Sequence, residues 1–192
     1  MRLSAPRIAP LQDGDLDAES REALAPFAGR PVLNIFRTLA RAPNALTAFL
    51  GWGNYVLSRR NGLPAREREI VILRIGWLCR SGYEFAQHRR IALESGLTIE
   101  EVERLKRDVE APGWTAAERA LIRACDELHD DQFVSEPTWV ELGRWFDDKT
   151  RMDVIFTAGQ YTQVSMMLNT FGVQLERADD LDPALDLRGE GR

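Results

Sequence analysis

Apolar positions along this chain recur at helical rather than strand spacing. Behind Pro43, the positions Leu46, Phe49, Leu50, Tyr55 and Leu57 keep roughly helical spacing. A proline in the first turn is a favoured way to open such a helix. Asn61-Gly62 ends it, and Pro64 opens the next. Over residues 65–78 the apolar positions Ile70, Val71, Leu73, Ile75, Trp77 and Leu78 stand nearly all round the helix, which predicts a helix buried on every side. The run IVIL alone could form a strand. Its charged leader AREREI and the length of the segment favour helix. Arg80-Ser81-Gly82 breaks the pattern. A further helix is expected from Tyr83 to about Glu94, stopped by Gly96.

The remaining elements are read from their caps. Asp17 can cap a short helix to about Phe27, and a second short helix fits Asn34 to Arg41. Thr98 and Glu101 form one capping box, Thr115 and Glu118 another, with helices expected to about Arg107 and His129. Ser135 caps the next, with Pro137 in its first turn. Asp148 or Thr150 starts the last long segment, which is apolar but interrupted by Gln160, Gln163, Ser165 and Asn169. Those polar groups need partners if buried, so they point to helix–helix contacts or a lined pocket. No segment alternates as a strand would. The fold class is all-α, a helical bundle joined by short loops. Residues 1–16 read as an extended arm, 17–178 as a single domain and 179–192 as a mobile, charged tail.

With 192 residues, 44% hydrophobic and 29% charged, the chain can bury a core without disulfides or a structural metal. A net charge of −5 argues against nucleic acid as a partner, although Arg59, Arg60, Arg66, Arg68, Arg89 and Arg90 fall close together. Cys79 and Cys125 form neither a disulfide framework nor a CxxC, and both read as small buried apolar residues. The amino terminus lacks an apolar signal core, and the longest aliphatic run is far short of a bilayer span. No membrane partner and a cytoplasmic location are expected.

Candidate chemistry gathers between Arg66 and His88. The chain has two histidines, and His88 stands four residues after Glu84, so the two share a helix face. A carboxylate beside an imidazole fixes its tautomer and suits it to proton transfer. An ordinary surface pair would have the same spacing. In one straight helix Glu69 would lie roughly 28 Å from His88; they meet only if the chain folds back at Arg80-Ser81-Gly82. Glu69 is costly to bury unless paired or protonated, and Arg66 or Arg74 could instead pair with it on the surface. A metal site would have two ligands at most from Glu84 and His88, and HExxH is absent. His129, among aspartates at a helix end, reads as structural. Nucleophile-elbow, phosphate-loop and dinucleotide motifs are absent.

The segment LPAREREIVILRIGW followed by YEFAQH, with TAAERALIRACDELHDD and GQYTQVSMMLNTFGVQLE in the carboxyl half, resembles the carboxymuconolactone decarboxylase and alkylhydroperoxidase D-like family over roughly residues 40–176. The family's peroxidase branch carries a glutamate, a CxxC and a histidine four residues after the second cysteine. On this chain the glutamate falls on Glu69, the histidine on His88, and the two cysteines on Ser81 and Glu84. Neither residue can form a thiolate or a disulfide; the decarboxylase branch needs no cysteine pair. The resemblance implies an all-α bundle that assembles as a trimer or hexamer, or else a dimer. It also implies a lyase without cofactor or metal, acting on a small carboxylated or lactone-type metabolite. Here His88, Glu84 and Glu69 are the expected catalytic residues, forming a proton relay, and Tyr83 and Arg74, or else Arg89, the expected substrate-binding residues. An antioxidant protein without the CxxC, or a non-catalytic helical oligomer binding a small molecule, would fit the same pattern.

Overall fold

The computed structural model describes residues 1–189, and every regular element among them is helical. The long elements are α1 (Ala18–Leu24), α2 (Asn34–Leu39), α3 (Pro43–Val56), α4 (Ala65–Leu78), α5 (Gly82–Glu94), α6 (Ile99–Arg104), α7 (Ala116–Asp131), α8 (Glu136–Gly143) and α9 (Asp148–Phe171). Single turns of 3-10 helix stand at Asp13–Asp15, Ala25–Phe27, Ala178–Asp180 and Pro183–Leu185. No helix among the described residues is long and apolar enough to cross a membrane.

Helix α4 is the axis of the bundle. It packs against α5, α7 and α9, and Glu69 through Gly76 are buried without a break, as its all-round apolar pattern requires. One core cluster joins Val71, Ile72 and Ile75 of α4 to Leu121 of α7 and Val154 of α9. A second joins Ile70 and Leu73 to Phe85, Val102, Ile122 and Leu185.

Charged side chains fix the order of the helices around this axis. Arg66 at the start of α4 donates to Glu101 and Glu118, the same carboxylates that complete the capping boxes of α6 and α7. One guanidinium thus ties three helix starts together. Arg74 grips Asp126 of α7 with both Nε and Nη2 (2.6 and 2.9 Å) and donates from Nη1 to the carbonyls of Leu105 and Arg107 (2.6 and 2.7 Å). Those carbonyls face an arginine rather than a further helical turn, and α6 stops at Arg104 instead of running to Arg107.

The reversal between α4 and α5 is made by Arg80, which adopts the left-handed conformation with φ 53°. The Ser81 amide returns to Gly76 O (2.8 Å) and the Arg80 amide to Trp77 O (2.9 Å), a Schellman closure with arginine where glycine is usual. Gly82 serves close approach: a Cβ there would stand 2.7 Å from Leu181 Cδ1 and 3.2 Å from Leu185 O. The carboxyl-terminal stretch is therefore packed rather than loose. Leu185 and Leu187 are buried, and Asp182 pairs with Lys106. Residues 190–192 of the expected tail lie outside the described residues. The amino-terminal arm is also held, with the Arg7 and Ile8 amides donating to Phe171 O.

Candidate active site

The reversal at Arg80 brings α5 back along α4, and Glu69 meets His88. His88 Nδ1 lies 2.8 Å from Glu69 Oε2, and both residues are buried. The carboxylate partner of His88 is therefore Glu69, across the helix pair, and not Glu84 on its own helix. Expecting the pair within one helix overlooked that Glu84 has a different neighbour. Its Oε2 accepts from Ser165 Oγ of α9 at 2.9 Å, and its Oε1 has no hydrogen-bond partner. Gly76 leaves room for that carboxyl, since a Cβ at position 76 would stand 3.0 Å from Glu84 Oε1. Burial pushes the Glu84 carboxyl well above its usual range. The Ser165 hydroxyl pulls it partly back, and the nearby Glu69 raises it further. These surroundings favour the neutral Glu84 carboxyl over the carboxylate.

A cavity of about 210 Å³ opens beside His88, between α2, α3, α5 and α9. Its walls are mainly apolar: Ile35, Phe36, Phe49, Val56 and Val164 among them. Its buried polar lining residues are Tyr83, Glu84, His88, Gln160 and Tyr161, and His88 Nε2, the Gln160 amide and the Tyr161 hydroxyl bond to no described residue, while Arg90 stands on its exposed rim. With Nδ1–H given to the Glu69 carboxylate, the imidazole carries its lone pair on Nε2, which bonds to no described residue; the tautomer follows from this pairing. Tyr161 meets the imidazole edge-on, with ring centroids 4.8 Å apart. Burial, then Glu84 and Glu69, push its phenol up, so the hydroxyl keeps its proton.

The other expected site residues are placed elsewhere. Tyr83 lines the cavity wall, but its hydroxyl donates to Glu176 Oε1 at 2.8 Å. Arg74 is absorbed by Asp126 and two carbonyls and does not line the cavity. Arg89 lies outside it too, in a surface groove with Asp179 and Asp180. Ser81 is buried with its hydroxyl unpartnered. Cys125 is fully buried, as expected, whereas Cys79 is only half-buried, with its Sγ 3.9 Å from His129 Nδ1. Burial, then the neighbouring Glu84 carboxyl, push the Cys79 thiol up. Among the described residues no group of histidine, cysteine, aspartate and glutamate could hold a metal. Ser165 and Tyr161 were not singled out as site residues from the sequence. Their spacing of four on α9, facing the Glu84–His88 helix, is the signal that could have found them.

Residues 43–127, from α3 through most of α7, match the carboxymuconolactone decarboxylase family. The stretch is less than half of the chain, and over it the chain is similar to that family. No curated protein sequence matches it. Solved structures place the whole fold. A peroxidase-related protein from Ralstonia eutropha JMP134, described as an alkylhydroperoxidase AhpD core, is 19% identical with a TM-score of 0.74, covering 96% of this chain and 97% of its own. An Agrobacterium tumefaciens protein of unknown function, proposed as an AhpD antioxidant defence protein, is 20% identical with a TM-score of 0.67, covering 72% and 95%. The debrominase Bmp8, solved with 2,3,4-tribromopyrrole, is 15% identical with a TM-score of 0.71, covering 92% and 95%. At these identities the likeness is one of fold: the chain has the AhpD-like all-α bundle.

Proposed function

We propose that this protein is a cofactor-independent acid–base enzyme of the decarboxylase type, acting at carbon on a small carboxylated or lactone-type molecule. The observation that carries the reading is the Glu69–His88 couple, a buried imidazole oriented by a carboxylate on the far helix at 2.8 Å, with its second nitrogen on an apolar cavity. In the proposed reaction the bond to the carboxylate carbon breaks and carbon dioxide leaves. The electron pair stays on the substrate carbon, delocalised into a neighbouring carbonyl. An imidazolium at His88, its Nδ1–H held by Glu69, then gives its Nε2 proton to that carbon and is recharged from water. Positioned proton transfer of this kind is worth about 10²–10⁴-fold in rate. The apolar walls favour the step, since charge is spread in the transition state and concentrated on the carboxylate before it.

The likeness of residues 43–127 to the carboxymuconolactone decarboxylase family supports this class of chemistry, and the residues at the peroxidase thiol positions, Ser81 and Glu84, do not support thiol chemistry. Arg90, on the cavity rim, takes the place expected of Arg74 as the cation nearest an incoming carboxylate. We further propose a homo-oligomer, because Trp52, Trp145, Met152 and Met166 are exposed apolar surface. The enzymatic reading is tested by screening small cyclic carboxylates and lactones for carbon dioxide release or product formation. Turnover should be lost in His88→Ala. Turnover retained by a folded His88→Ala would move the chemistry elsewhere.

A further inference from the structure

One buried polar side chain on the cavity wall has no work in the proton transfer. Gln160 is 5% exposed, lines the cavity and makes no hydrogen bond to any described residue. On a mainly apolar wall its carboxamide is a polar group that opens onto the cavity, free to pair with a molecule held there. Its neighbourhood leaves that partner room. The facing residue on α3 is Gly53, where even an added Cβ would stand 3.9 Å from Gln160 Nε2. The next residue along α9, Tyr161, carries the ring that meets His88 edge-on, so the amide and the imidazole border the same small space.

Size and charge narrow what enters. An apolar cavity of about 150 Å³ holds a benzene ring, so about 210 Å³ admits one ring with a substituent. The buried polar residues on the lining, Tyr83, Glu84, His88, Gln160 and Tyr161, include no arginine or lysine, and the Glu69 carboxyl is bonded to His88. An anion lodged at this depth would meet carboxyls without a countercharge. The cation on the lining, Arg90, is at the exposed rim, its guanidinium only loosely paired with Glu94 at 3.7 Å.

We propose that Gln160 is the carbonyl seat of this cavity: its amide N–H holds the oxygen of a one-ring carbonyl compound, uncharged at that end, whose α-carbon faces His88 Nε2. The inference rests on the acid–base reading of His88 and names the electron sink which that reading requires. In the elementary step His88 Nε2 takes a proton from the α-carbon, and the C–H electron pair becomes the enolate carbon–carbon double bond. The carbonyl π pair moves onto oxygen, where the Gln160 N–H stabilises it. Return of a proton or deuteron to carbon restores the ketone, so the step needs no oxidant or reductant. In a decarboxylation the same enolate forms by loss of carbon dioxide, with the departing carboxylate turned toward Arg90 and the carbonyl at Gln160.

The test uses cyclohexanone as probe and cyclohexanecarboxylate as its anionic counterpart. In the ¹⁵N-labelled wild-type protein, cyclohexanone should shift the side-chain amide resonances of Gln160, and cyclohexanecarboxylate should not. In deuterium oxide the wild type should exchange the ketone's α-protons. His88→Ala should abolish the exchange, and Gln160→Met, of similar volume but without a donor, should slow it by about 10²-fold. Wild-type exchange in a folded Gln160→Met protein would overturn the seat while leaving His88 as the base. A shifted Gln160 amide without exchange would overturn the acid–base reading and the step built on it, and would spare the seat. An unmoved amide, or one moved equally by the carboxylate, would overturn the seat whether or not the variant folds.

Discussion

Replacing Glu84 with glutamine should change how the stability of this protein depends on pH, and the size follows from where the carboxyl sits. Glu84 is 2% exposed, accepts one hydrogen bond from Ser165 and lies near the Glu69 carboxyl. Burial, opposed by the Ser165 hydroxyl and reinforced by Glu69, holds it well above the ordinary value of 4.5. The folded protein keeps a proton that the unfolded chain releases above that ordinary value. The folded state therefore binds more protons, and this group's contribution to stability falls as pH rises from the unfolded pKa toward the folded one. The slope is about 1.4 kcal/mol per pH unit for one proton. Glutamine keeps the shape, offers Ser165 an acceptor and never ionises, so Glu84→Gln removes the slope. Urea unfolding of both proteins at pH steps from about 5.5 to about 7.5 should show the wild type losing about 1.4 kcal/mol per unit relative to the variant. Parallel curves would mean that Glu84 is ionised in the fold, and the argument from burial would be refuted.

His88→Ala and Glu69→Gln should each lower turnover by about 10²–10⁴-fold, with the double variant little worse than the worse single, since groups acting as a unit are non-additive; additive losses in kcat would separate them. Arg74→Ala should destabilise the fold by about 3 kcal/mol in urea unfolding, because it strands Asp126 and two carbonyls; a stable Arg74→Ala protein with lost turnover would return Arg74 to the substrate site. Hydroperoxide turnover should be negligible, and robust turnover that disappears in Cys79→Ser plus Cys125→Ser would contradict this. Light scattering should report a multiple of 21.8 kDa at micromolar concentration, and the monomer mass would refute the oligomer.

Sequence periodicity located the helices because local signals and tertiary packing agree along most of this chain. Pro43, Thr98, Thr115 and Gly96 act through their own turns, and those turns form as expected. Where a boundary moved, a distant side chain moved it, as Arg74 does at the end of α6. The mobile tail was inferred from charge and glycine content alone. The leucines within it, Leu185 above all, find a core that no local pattern announces. The site shows the same division. Glu69, Glu84 and His88 are legible as residue types in one stretch. Which carboxyl takes the imidazole depends on the hand and register of the reversal at Arg80. Spacing within α5 favours Glu84, whereas packing of α4 on α5 gives His88 to Glu69 and turns Glu84 to Ser165. Arg74 looked available because its partner is far away in sequence.

The two positions where the peroxidase pattern has thiols bear directly on how the couple works. Ser81 is sealed at the helix reversal with no partner, too buried to meet a substrate. Glu84, at the second position, lies close enough to Glu69 for that carboxyl to add to the effect of burial in disfavouring charge on Glu84. Two ionised carboxylates in so dry a place would repel at a cost that low dielectric magnifies. Burial resolves the conflict in one direction, because Glu84 has only a hydroxyl for company while Glu69 has an imidazole. Burial favours the protonated form of Glu84, while Glu69 is the carboxyl that holds His88. A glutamate in place of the second cysteine thus removes the thiol and puts beside the Glu69–His88 couple a carboxyl on which burial disfavours charge. That arrangement holds the imidazole by one carboxyl, Glu69 at 2.8 Å, while the second is held by Ser165.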